Sequence, residues 1–200
     1  MAVTKVSNSG IKTGVLKYDS MLAGNAAYDP AATWLIQRIN GTGSSSTITF
    51  SSIPSTYTSL QIRGIVRTDS GTGIGASVRL NGDTGANYAS HQLYGDGTTA
   101  AVGGAASATS ITNGGGLGFG STTAANIVGA FILDIHDYAS TTRNKTTRVF
   151  TGRDDNSTGF IRVGSGLWMN TAAVTSISLV TSNGSNFTTQ TTFALYGMKG

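Results

Sequence analysis

Apolar and polar residues alternate through Ser59-Leu60-Gln61-Ile62-Arg63-Gly64-Ile65-Val66-Arg67, and again through Ala76-Ser77-Val78-Arg79-Leu80, which runs into Asn81-Gly82-Asp83-Thr84-Gly85. Side chains on a strand point to opposite faces in turn, so Leu60, Ile62 and Val66 share one face while Gln61 and Arg63 point the other way. That apolar face requires a second layer. Asn81-Gly82 is a favourable hairpin turn. Upstream, Trp34 to Ile39 and Thr47 to Phe50 flank Gly41-Thr42-Gly43-Ser44-Ser45-Ser46, which predicts a hairpin, and Pro54 marks a strand boundary or edge because proline cannot donate to a ladder.

Downstream, strands are predicted over Tyr88 to Tyr94, Lys145 to Gly152, Gly159 to Leu167, Val174 to Thr181 and Thr192 to Met198. Polar turns such as Asp154-Asp155-Asn156-Ser157 and Ser182-Asn183-Gly184-Ser185 separate them. The run Ile127 to Leu133 is apolar on both faces, which fits a strand in the middle of a sandwich or one covered by a neighbouring subunit. The Gly-, Ala-, Ser- and Thr-rich segment Gly95 to Thr123 reads as a long loop suited to partner contacts, with one short strand near Ile111. About eight to ten strands at roughly twelve-residue intervals predict a sandwich or barrel.

Composition sharpens this to an all-β fold. Charged residues make up 11% of the 200 positions, against about 25% in an ordinary soluble chain, and all nine acids are aspartates. With glutamate absent and Thr, Ser, Val, Ile and Gly abundant, local preferences favour strands and turns. So few charges also predict that much of the surface is covered by neighbours, with a homotrimer as the expected assembly. The net charge of +4 comes from scattered Arg and Lys, so no nucleic-acid partner is expected. No apolar run is long enough to cross a bilayer as a helix, and Met1 to Val6 lacks the core of a secretory signal; the expectation is a soluble chain not exported by that route.

Residues 1–30 differ from the remainder. Gly10, Gly14 and Gly24 interrupt an otherwise apolar set, Ile11, Val15, Leu16, Tyr18, Met21 and Leu22, too rich for a plain disordered tail. We read this as an extended N-terminal arm whose apolar residues dock on another chain, followed by a β-sandwich domain over residues 31–200.

Candidate chemistry is sparse. Asp134 and His136 share a strand face, but no third ligand lies nearby in sequence, and a hydrogen-bonded strand end is the plainer reading. Asn81 to Gly85 offers oxygen ligands without the twelve-residue calcium loop or its terminal Glu. No cysteine, nucleophile elbow, phosphate loop or dinucleotide fingerprint occurs. The aspartates Asp154 and Asp155 are adjacent, not paired across a cleft. Neither an enzyme nor a cofactor or metal is expected. Tyr88, His91, Tyr94 and Trp168 are candidate contacts for a glycan or receptor, since aromatic rings stack on sugars.

Thr47-Ile48-Thr49-Phe50-Ser51-Ser52-Ile53-Pro54-Ser55-Thr56-Tyr57, then Leu80-Asn81-Gly82-Asp83-Thr84-Gly85-Ala86-Asn87-Tyr88 with Leu93-Tyr94-Gly95-Asp96-Gly97, and the closing Phe193-Ala194-Leu195-Tyr196-Gly197-Met198-Lys199, resemble structural proteins of tailed-bacteriophage particles. The opening Gly10-Ile11-Lys12 and Lys17 to Asn25 are similar to N-terminal segments of the same group, so the resemblance spans most of the chain. It implies a virion component of the tail-fibre or tail-associated type, with a capsid decoration protein as the alternative. From a different class, a carbohydrate-binding module remains open. Together the residues and the resemblance predict a jelly-roll-like antiparallel β-sandwich preceded by an arm, located in the virion, with itself and other virion proteins as partners and a host surface glycan as a further one.

Overall fold

A computed structural model describes residues 33–71, 74–112, 117–118, 125–156 and 158–199. The expected arm and its docking candidates Ile11, Val15, Leu16, Tyr18, Met21 and Leu22 lie outside the described residues. In chain order the strands are β1 (Thr33–Asn40), β2 (Thr47–Phe50), β3 (Ser59–Val66), β4 (Ile74–Leu80), β5 (Tyr88–Gly95), β6 (Ala100–Ala108), β7 (Leu117–Gly118), β8 (Gly129–His136), β9 (Lys145–Asp154), β10 (Gly159–Trp168), β11 (Ile177–Thr181) and β12 (Thr192–Met198). They form an eight-stranded sheet, β1-β12-β3-β8-β9-β10-β5-β6, packed on a four-stranded one, β2-β11-β4-β7. No helix occurs among the described residues.

The protein is thus an all-β antiparallel sandwich, with more strands than the sequence pattern suggested and with sheets of unequal size. The alternation that predicted the strands also builds the core. Leu60, Ile62 and Val66 of β3, Phe131, Leu133 and Ile135 of β8, and Phe193 and Leu195 of β12 point inward and are buried. They meet Ile48 and Phe50 of β2, Val78 and Leu80 of β4, and Ile177 and Leu179 of β11. Each fully buried side chain of this kind contributes about 1.5–3 kcal/mol before its ordering cost is subtracted.

Three local expectations are corrected. The strands at Trp34–Ile39 and Thr47–Phe50 are not a hairpin: β1 pairs with β12 and β2 with β11, so the Gly41–Ser46 link crosses between sheets. Asn81-Gly82 does form a tight turn, with positive φ at both residues and Asp83 N–H donating to Leu80 C=O, yet β4 and β5 lie in different sheets. The Asn81 side chain explains the turn's direction, because its Nδ2 donates to Ala173 C=O at 2.8 Å and its Oδ1 accepts from the Thr175 and Ser176 N–H groups at 2.8 and 3.1 Å. These bonds dock the turn on the entry to β11. Finally, the segment read as a loop contains the nine-residue strand β6, and Ile111 joins Val78 only through an isolated bridge.

One glycine is required by packing at the centre of the large sheet. The rings of Phe131 and Phe193 meet edge to face at 5.3 Å over Gly64, and a Cβ there would come within 2.9 Å of Phe131 Cε1 and closer still to Phe193. Gly64→Ala is expected to destabilise the domain by about 1–3 kcal/mol through overpacking. An unchanged melting temperature would show that both rings can move aside.

Candidate functional site

The outer face of the eight-stranded sheet, the one turned away from the four-stranded sheet, should be polar on every second residue if it met only water. It is not. In β8, β9, β10, β5 and β6 the outward positions Ile132, Phe150, Val163, Leu93 and Val102 fall in register, each directly opposite the next. A second row runs beside it through Ile65, Ala130, Gly152, Ile161, Gly95 and Ala100. Seven of the ten large hydrophobics exposed among the described residues lie in these two rows, each 41% to 79% exposed. Five neighbouring strands spaced about 4.8 Å apart carry the first row across roughly 19 Å. The third row is polar: Gln61, Asp134, Arg148, Ser165 and His91 follow one another, and Gln61 Nε2 donates to Asp134 Oδ1 at 2.7 Å.

The second row contains small residues, and their lack of bulk opens a trough. Ala130, Gly152 and Gly95 floor a cleft of about 900 Å³, with Phe150 and Ile161 standing beside it and the β5–β6 and β9–β10 turns along its rim. Those turns are locked by their own aspartates. Asp96 Oδ1 accepts from the Thr98 and Thr99 N–H groups at 2.9 and 2.7 Å, which lowers the pKa of its carboxyl below the usual range. Asp154 Oδ1 accepts from Asn156 N–H at 2.7 Å, and Asp155 accepts from Thr158. The adjacent aspartates of the sequence therefore cap one turn.

The four aromatic candidates do not make one site. Tyr88 and Trp168 are buried, their rings stacked at 6.4 Å inside the sandwich, so neither can offer a face to a ligand. This corrects their assignment as glycan contacts; both are core residues whose polar tips find protein partners. His91 and Tyr94 are three apart on β5 and so point to opposite faces. His91 is exposed on the outer face and lies over Gly104, where a Cβ would come within 2.9 Å of its Cδ2. Tyr94 points inward, stacked on Phe160 at 5.2 Å, with the Arg162 guanidinium 5.9 Å from its ring centre and 5.0 Å from that of Phe160. Asp134 and His136 do share a face, yet no group of three His, Cys, Asp or Glu able to hold a metal occurs among the described residues.

Two polar arrangements, one half-buried and one buried, had no signal in the sequence. Asp83 Oδ2 accepts from Trp168 Nε1 at 2.7 Å and from Asn87 Nδ2 at 2.9 Å, while its Oδ1 accepts from Gly85 N–H at 2.8 Å. The carboxylate of the supposed calcium-like turn is thereby occupied by the protein itself, and these bonds, the one from Trp168 foremost, lower its pKa. Lys145 is buried with its Nζ donating to Arg143 C=O at 2.6 Å and Thr171 C=O at 3.1 Å, and burial pushes its pKa down. The outer-face rows were partly legible, since Ile127 to Leu133 is apolar on both faces; Phe150, Ile161 and Val163 became visible only once register aligned them. No protein-family model, no curated protein and no solved structure matches this chain.

Proposed function

We propose that the chain is a non-enzymatic structural subunit of a tailed-bacteriophage virion, a tail fibre or other appendage, anchored through residues 1–30 and packed against neighbours through the outer face of its large sheet. The observation that carries this reading is the pair of apolar rows on that face. Single exposed hydrophobics need no explanation, whereas a contiguous set crossing five strands marks a surface that is covered in the working state. The partners are further copies of this chain, with three as the expected number, and other virion proteins; a capsid decoration protein would use the same surface.

The test is twofold. Particles purified from the host should contain peptides of this chain at stoichiometric abundance, and their absence would overturn the reading. Deleting residues 1–25 should leave the melting temperature of the body almost unchanged while abolishing incorporation, because side chains such as Ile11, Leu16 and Leu22 are worth about 1.5–3 kcal/mol each when buried on a partner. Normal copy number of the truncated protein would transfer attachment to the body.

Carbohydrate binding is the second reading, favoured by the trough, where Phe150 and Ile161 offer apolar surface beside the polar turns carrying Asp96, Asp154 and Asn156. That pairing of apolar floor and polar rim suits a sugar. A glycan array separates the two, since a purely structural subunit gives no specific signal.

A further inference from the structure

We propose that two copies of this chain join edge to edge through β6, in antiparallel register about a two-fold axis at Val102, so that their large sheets become one continuous sheet. A strand at the edge of a sheet presents a row of backbone donors and acceptors to any extended segment, and proteins that stay apart guard such edges with charge, proline, bulges or brevity. The opposite edge of this sheet is guarded: β1 carries Arg38 and breaks its register between Leu35 and Gln37. β6 has no such protection where it is regular. Its nine residues, Ala100-Ala101-Val102-Gly103-Gly104-Ala105-Ala106-Ser107-Ala108, include no charge and no proline, and among the described residues nothing pairs with its outer side. Residues 100–105 follow β5 without interruption, and the irregularity comes only afterwards, where Ser107 has positive φ.

The composition of the edge suits a second copy as its occupant, and Val102 is what favours it: with no charge on either strand self-pairing meets no like-charge repulsion, and an exposed Val102 can be covered by its own counterpart. Fit therefore rests on shape. Gly103 and Gly104 leave space that Gln92 and His91 of β5 fill, so β6 adds almost nothing to either face and two such strands can approach along their whole length. Within the regular stretch 100–105, Val102 alone has a side chain larger than alanine, and it is 79% exposed at the end of the first apolar row.

Register follows from that residue. Opposed residues in an antiparallel pair share a face. An axis at Val102 sets Val102 against Val102, Ala101 against Gly103 and Ala100 against Gly104, which carries the row Ile132, Phe150, Val163, Leu93, Val102 unbroken into the second copy. An axis at Gly103 would set Val102 against Gly104 and leave it largely uncovered. The contact is distinct from packing of the outer faces, since it uses the backbone edge and does not depend on the virion reading.

The 200-residue chain contains no cysteine, so a single introduced thiol reports the contact without background. Opposed residues in an antiparallel pair have Cα atoms about 4.5 or 5.5 Å apart, within the range a disulfide spans. Under mild oxidation Val102→Cys should run mostly at twice the monomer mass on a non-reducing gel. Ile161→Cys, also on the outer face and 52% exposed but two strands inward from the edge, should remain monomeric. The Val102→Cys cross-link should also persist when Val163→Asp is added to break contacts between outer faces. Absence of the cross-link, equal cross-linking of Ile161→Cys, or its loss on adding Val163→Asp would each overturn the edge contact; only the last would transfer the result to the outer face.

Discussion

A Val163→Asp protein is expected to remain folded, with its melting temperature little changed, and to lose association through the outer sheet face. Val163 sits at the middle of the first apolar row, with Phe150 opposite on one side and Leu93 on the other, and is 53% exposed in the single chain. A carboxylate there stays in water while the chain is alone, so folding stability should change by no more than about 0.5 kcal/mol, apart from a modest loss of strand packing. In the assembled state the same group would be buried without a partner, and the cost of several kcal/mol raises the dissociation constant by roughly a hundredfold or more. Seven half-exposed hydrophobics from each copy, at about 1 kcal/mol apiece, supply an energy of the order needed to offset the ~4–15 kcal/mol lost in immobilising a partner. Sedimentation of wild-type and variant over a concentration series reads the effect. A wild-type protein that is monomeric at high micromolar concentration, or a variant that associates as well as the wild type, would count against the outer face as an assembly surface.

The largest loss of folding stability is expected from Asp83→Ala. Its carboxylate accepts hydrogen bonds from the Trp168 indole, the Asn87 amide and the Gly85 backbone, and Trp168 is a buried residue, so truncation leaves its part-buried indole N–H without a protein acceptor. One buried donor without an acceptor costs about 1–3 kcal/mol, and the weakened turn adds to it, for a total near 2–4 kcal/mol. For a domain of this size that lowers the melting temperature by about 5–15 °C. The Tyr88 hydroxyl is part of the same corner, accepting from Leu80 N–H at 3.1 Å and donating to Asp83 C=O at 3.1 Å, so the turn between β4 and β5 loosens as a unit.

The same carboxylate gives the wild type an acid limb. Its folded pKa lies below the unfolded value of 3.8, so the unfolded chain binds the proton more tightly. The stabilisation is complete above the unfolded pKa and disappears as pH falls through the folded one. Asp83→Asn should flatten that share of the limb while keeping one acceptor for Trp168. An Asp83→Ala protein that melts with the wild type would show that water satisfies the indole and that the corner is held by packing alone.

How far the pattern of residues reached can be judged strand by strand. Alternation in Ser59–Arg67 and Ala76–Leu80 located β3 and β4 and told that Leu60, Ile62 and Val66 face inward, because burial of one face leaves a period of two in any sequence that folds this way. It failed for β6, whose alanines and glycines have no periodicity to display; its strand conformation comes from pairing with β5 across a tight turn. It also misjudged the links after β1 and β4. A turn-rich segment between two strands looks the same whether the chain doubles back within a sheet or crosses to the other one. Asn81 decides the matter by bonding to Ala173, Thr175 and Ser176, more than ninety residues onward.

The functional residues divide in the same way. Aromatic side chains near turns drew attention to Tyr88 and Trp168, but the second sheet covers both, and residue type carries no information about what lies above it. By itself the sequence determined the fold class, the tight turn at Asn81-Gly82, the inward face of β3 and the shortage of charge, because each depends on residue type and local spacing. Only the tertiary structure decided which strands are neighbours, and so aligned Ile132, Phe150, Val163, Leu93 and Val102 into one row, placed β6 at the edge of the sheet among the described residues and brought Asp83 to Trp168. Those are contacts between residues distant in the chain, set by the closure of two sheets around a common core, and no local pattern encodes them.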